Sequence, residues 1–77
     1  MEDKILTPAD AWNHFFDRFK DSDRWNELDE WERHALRATH RSVLAGTCGS
    51  RRIQKALERY APGRYRFVDL SGFKLVD

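Results

Sequence analysis

The segment from Thr7 to Phe19 limits what this chain can fold into more than any other. Ala9, Trp12, Phe16 and Phe19 recur at spacings of three and four, and Phe15 widens the stripe. That is the period of an α-helix with one apolar face. Thr7 suits the N-cap, Pro8 takes the first helical position where its missing N–H costs nothing, and Asp10 follows three residues after the cap. The other face is Asp10, Asn13, His14, Asp17 and Arg18. The pattern predicts a helix over 8–20, ended by the turn-favouring run Asp21-Ser22-Asp23. A chain of 77 residues can build only one modest core.

A second helix is predicted over 24–45. Either Asp23 or Asn26 caps it, and Gly46 stops it. Its buried stripe reads Leu28, Trp31, Ala35, Ala38 and Thr39, flanked by Leu36 and Val43, so Trp31 is expected to touch Trp12. Opposite lie Arg33, Arg37 and Arg41, with His40 beside them, and Asp29 stands four residues before Arg33, where the two can pair. After the turn Gly46-Thr47-Cys48-Gly49, Ser50 is expected to cap a third helix over 50–60. Ile53, Ala56, Leu57 and Tyr60 form its apolar face; Arg51, Arg52, Lys55 and Arg59 take the rest. Ala61-Pro62-Gly63 ends it.

The tail changes to a period of two. Tyr65, Phe67, Phe73 and Leu75 alternate with Arg66, Val68, Lys74 and Val76, which predicts a hairpin over 64–76 with strands 64–69 and 73–76. A three-residue loop, Leu70-Ser71-Gly72, sets Phe67 against Leu75 and Val68 against Lys74, so that faces agree. Tyr65, Phe67, Phe73 and Leu75 are then expected to pack on the helices, because a lone hairpin is marginal. The expected fold is α+β, mostly α: a three-helix bundle followed by a C-terminal β-hairpin, in winged-helix-like order, as a single compact domain over 1–77.

Several classes of function are disfavoured. One cysteine excludes an internal disulfide framework and Cys-rich zinc modules. His34 and His40 fall on different sides of a helix and Cys48 reads as a small filler in a turn, so no metal or cofactor is expected. No nucleophile elbow, phosphate-cradling glycine loop or zinc-protease motif is present, and the chain is expected not to be an enzyme. No apolar run approaches the roughly 20 residues of a membrane span, and Met1-Glu2-Asp3-Lys4 does not open a signal peptide, so a cytoplasmic protein is expected.

Charge carries the functional signal. Net charge is +1, but residues 1–30 sum to −5 and residues 31–77 to +6. Nine of the ten bases in the second part lie between Arg33 and Arg66, and eight of those nine are arginine, whose planar fork suits phosphate and carboxylate. Either the two halves neutralise each other on folding or the arginines await an anionic partner. Helix, short turn, basic helix and hairpin is the element order of a winged helix-turn-helix. The helix-turn-helix sequence pattern falls on Ala45, Gly49 and Lys55 and fails at the charged Lys55, so the likeness is one of architecture only. The expected site for nucleic acid or another anionic partner is Arg33, Arg37, Arg41, Arg51, Arg52, Gln54, Lys55, Arg59 and Arg66, with duplex DNA the first expectation and a homodimer compatible with it. The alternative is a small protein-binding inhibitor or adaptor, of the kind phages direct at host proteins, acting through its charged faces. Trp25 beside Asp21, Asp23 and Glu27 would supply that interface.

Overall fold

The structure, a computed structural model, describes residues 5–69 and 71–76. Met1 to Lys4, Leu70 and Asp77 lie outside the described residues, so neither the chain start nor the first residue of the expected hairpin loop is placed. The elements are β1 (Ile5–Leu6), α1 (Pro8–Phe19), α2 (Asp23–Glu27), α3 (Glu30–Leu44), α4 (Ser50–Tyr60), β2 (Tyr65–Asp69) and β3 (Gly72–Leu75). The class is α+β, mostly α: among the described residues there are four helices and a small antiparallel sheet formed mainly by the C-terminal strands.

α1 forms as its spacing predicts. Thr7 Oγ1 accepts the Asp10 amide at 3.1 Å, which satisfies one of the helix's orphan N–H groups. Ala11, Trp12, Phe15, Phe16 and Phe19 are buried. Ala9, read above as part of the stripe, is exposed, and Ala11 takes its place beside Trp12.

The expected continuous helix over 24–45 is two helices. Leu28 is extended (φ −70°, ψ 149°) and closes α2. Asp29 then caps α3, accepting the Glu32 amide at 2.7 Å. Its carboxylate therefore serves the helix end rather than an ion pair with Arg33. The break changes which face of α3 turns inward. Leu36, Thr39 and Val43 are buried, whereas Trp31 is 78% exposed and Ala35 is exposed. Trp31 does not reach Trp12. Trp12 meets His40 instead, donating its indole Nε1–H to His40 Nδ1 at 3.0 Å, while Phe16 stacks on the same imidazole at 4.4 Å.

α4 turns Ile53 and Leu57 inward. Its N-cap is Gly49, with no side-chain cap bond, and Ser50 is the first helical residue rather than the cap. Tyr60 Oη donates to Glu32 Oε2 at 2.9 Å, tying the end of α4 to the start of α3. The short turn after Leu44 joins their other ends, and both helices rest against α1.

The sheet has three strands in the order β1-β3-β2, where two were expected. Phe67 stands opposite Phe73, Tyr65 opposite Leu75 and Arg66 opposite Lys74, with a bulge between Phe67 and Asp69. The register is thus two residues away from the expected pairing of Phe67 with Leu75. An even shift leaves every side chain on its expected face. Phe73 is buried and Tyr65 half-buried, but Phe67 (37%) and Leu75 (47%) remain more exposed than expected. Gly72 is required by proximity: a Cβ there would stand 1.9 Å from the Leu6 carbonyl oxygen. Gly72→Ala is therefore expected to detach β1 from the sheet, read as loss of amide protection at Leu6 and Phe73 in hydrogen exchange.

The core is Trp12, Phe15, Phe16 and Phe19 of α1 against Leu36 and Val43 of α3, Ile53 and Leu57 of α4, and Phe73 of β3. Trp12 is the pivot, fully buried with its one polar atom bonded. Trp12→Phe removes that donor and leaves His40 Nδ1 unpaired, so it should lower stability by about 1–3 kcal/mol. Trp31→Ala, at the exposed tryptophan, should change it by less than about 0.5 kcal/mol. Equilibrium urea denaturation of the two variants checks both.

Candidate anion-binding surface

The amphipathic pattern of α4 decides where its charges go. With Ile53 and Leu57 turned to the core, Arg51, Arg52, Lys55, Glu58 and Arg59 are all exposed. Arg51, Lys55 and Arg59 recur every four residues and so share a face. Gln54, expected to read a base edge, is half-buried and donates its amide to Glu58 Oε1 at 3.1 Å. Arg59 is partly neutralised: its guanidinium lies 3.5 Å from Glu32 Oε2 and over the Tyr60 ring at 5.5 Å. Arg51, Arg52 and Lys55 have no carboxylate within ion-pair distance among the described residues. Arg66 is exposed on the edge strand β2, opposite Lys74.

The arginines of α3 do not form one uniform stripe. Arg33 is half-buried and turns back on α2, donating to the carbonyl oxygens of Trp25 (3.3 Å), Asn26 (3.5 Å) and Leu28. These carbonyls lie at a helix end, where a cation is favoured, and that of Trp25 also accepts the Leu28 amide at 3.2 Å. Its role is structural. Arg37 and Arg41 are exposed and line an open groove of about 650 Å³ with Lys20, Asp21, Trp25 and the two histidines His34 and His40. Arg37 sits over the Trp25 ring at 5.7 Å. Trp25 is half-buried, its ring set edge-on against Phe16 and Phe19. The structure thus brings together in one groove Arg37 and Arg41, expected to meet an anion, with Trp25 and Asp21, expected to meet a protein. Asp23 and Glu27 are exposed on α2 and do not line it.

Neutralisation between the halves does not occur through ion pairs among the described residues. Lys20 pairs with Asp17 at 3.8 Å, within the acidic part, and Arg59 with Glu32, within the basic part. The acids near α2 act on helix ends instead, Asp29 as a cap and Asp23 in the first turn of α2. The positive surface of α4 is therefore left to solvent.

A second hollow, about 310 Å³, opens between the ends of α1 and α4. Arg18, Arg24 and Arg64 border it; none was among the expected site residues, although Arg64 falls in the basic run from Arg33 to Arg66. The signal was weak, because Arg18 and Arg24 belong to the acidic half and come from different helices. Tyr65 walls the hollow and shares a hydrogen bond of 2.6 Å with His14 Nδ1.

No protein-family model, curated protein or solved structure matches this chain.

Burial, reinforced by the Arg18 guanidinium and opposed by Asp17, holds the His14 pKa below its ordinary 6.5. The folded chain thus resists a proton that the unfolded chain accepts. Stability from this group is full above about pH 6.5 and is lost as pH falls below it towards the lower folded value. Urea midpoints should drop between about pH 7.5 and pH 5, and His14→Gln should flatten the change.

Proposed function

We propose that this protein is a binding protein that takes nucleic acid, duplex DNA in the first instance, through phosphate contacts from its arginine-rich face. The observation that carries this reading is the uncompensated charge of α4: Arg51, Arg52 and Lys55 project from one exposed helix face with no carboxylate partner among the described residues. Guanidinium groups on a rigid helix lose little freedom on forming forked bonds to phosphate oxygens. Arg66 on β2 and Arg41 on α3 extend the positive surface to other elements. Phosphate contacts of this kind set register and affinity without reading sequence. The proposed contact is the exposed face of α4 laid on the phosphate backbone. One such face per chain binds weakly, and a homodimer would double it.

A second reading, a protein-binding inhibitor or adaptor, is favoured by one observation. Trp31 (78% exposed) and Leu44 (67% exposed) stand out on α3, and a large exposed aromatic beside charge is the usual anchor of a protein interface.

Binding to random-sequence duplex DNA, measured by fluorescence anisotropy at several salt concentrations, separates the two. The proposal expects affinity to fall steeply with salt. The combined variant Arg51→Ala, Arg52→Ala and Lys55→Ala should make the log–log slope shallower by about 2–3, near 0.9 per lost phosphate contact. Absence of DNA binding even at low salt would leave the Trp31 face as the better lead.

A further inference from the structure

We propose that the hollow between the ends of α1 and α4 is a binding site for a phosphomonoester carrying a flat ring, a nucleotide in chemical class. The site goes beyond the surface proposed above and uses different residues.

Three arginines from three parts of the chain border it: Arg18 on α1, Arg24 on α2 and Arg64 just before β2. Among the described residues no carboxylate lines it. Two of the guanidiniums are held in place by backbone. Arg18 donates to the His14 carbonyl at 3.0 Å, and Arg24 to the Tyr60 carbonyl at 2.8 Å. Each has five N–H donors, so most remain for a ligand. Arg64 has no side-chain partner among the described residues. Glu32 on α3, the partner of the Tyr60 hydroxyl, is also engaged by Arg59.

Helix ends provide the counter-argument. α1 and α4 both finish at this hollow, and each C-terminus carries roughly half a negative charge. Together they offset about one of the three positive charges of the lining, and Asp17, Asp21 and Asp23 flank it in sequence without lining it. A phosphomonoester at pH 7 carries about −1.5 to −2 and offers three acceptor oxygens to three guanidinium groups, one more than a carboxylate has. The walls explain the ring. Tyr60 and Tyr65 direct their hydroxyls to Glu32 and His14, neither of which lines the hollow, and so give it ring carbon. Ala61 and Pro62 add to the apolar part of the lining. The volume, about 310 Å³, lies at the small end of the range for ligand pockets.

Free nucleotide and the phosphorylated end of a strand share this chemistry. Isothermal titration of the intact chain with adenosine monophosphate, and with a short single strand bearing or lacking a terminal phosphate, distinguishes them. The expected result is saturable binding of the mononucleotide or, for a strand-end ligand, of the phosphorylated strand in preference to its unphosphorylated twin. Arg64→Gln, which breaks no bond in the fold, should weaken that binding about tenfold or more, the value of one charge-assisted hydrogen bond. Arg52→Gln on α4 should leave it unchanged while weakening duplex binding. Failure of both phosphorylated probes to bind overturns the proposal. So does an equal loss in the Arg52→Gln variant, because binding would then follow overall charge and not this site.

Discussion

The hydrogen bond from the Trp12 indole to His40 Nδ1 sets the rest of the structure. A fully buried tryptophan has one polar atom to satisfy, and here a single partner on α3 satisfies it. Phe16 stacks on the same imidazole, so His40 is held from two sides by α1. That rotation of α3 puts Leu36, Thr39 and Val43 inside and Trp31 outside. The opposite end of α1 works in the same way: Phe19 packs on Tyr60 and Trp25, and His14 reaches Tyr65. One helix thereby orients α2, α3, α4 and the sheet. The charged faces point outward because the aromatic ones are committed inward.

Electrostatics follow from this placement rather than driving it. The sequence splits into an acidic and a basic part, and mutual neutralisation was the simplest outcome. The fold spends its acids on helix ends instead, with Asp29 capping α3 and Asp10 in the first turn of α1. Carboxylates at helix N-termini are worth about 0.3–1 kcal/mol each, comparable to or better than an exposed ion pair. Three arginines are used likewise: Arg33 closes α2, Arg24 bonds the last carbonyl of α4, and Arg18 bonds within α1. Arg51, Arg52 and Lys55 of α4 have no such duty, which is why they are the natural candidates for a partner.

Local signals were legible where one residue pattern had one meaning. The Thr7 cap and the aromatic stripe located α1 to within a residue, and the apolar face of α4 was equally plain. On α3 the expected stripe ran through Trp31, Ala35, Ala38 and Thr39 with Leu36 and Val43 at its flank, whereas the buried face centres on Leu36, Thr39 and Val43. Leu28 extended the expected stripe towards Trp31. It lies three before Trp31, yet it belongs to the extended link after α2 and has no bearing on the phase of α3. Asp29 followed by Glu32 was the available sign of a fresh helix start. The hairpin faces were correct despite the shifted register because the shift is even. β1 was invisible because two residues carry no period. Of the candidate site, the α4 cations were legible from a single helix face. The Arg18, Arg24 and Arg64 hollow was not, because it is assembled by tertiary contact between segments far apart in sequence.

The account stands on the α4 cations being left unneutralised by the fold. The dependence of folding stability on ionic strength measures this directly, between about 10 and 200 mM sodium chloride, where screening dominates. If Arg51, Arg52 and Lys55 face only solvent and one another, added salt relieves their repulsion and the urea midpoint holds or rises. A midpoint that falls steadily over that range would mean that attractive charge pairs are being screened, and would contradict it.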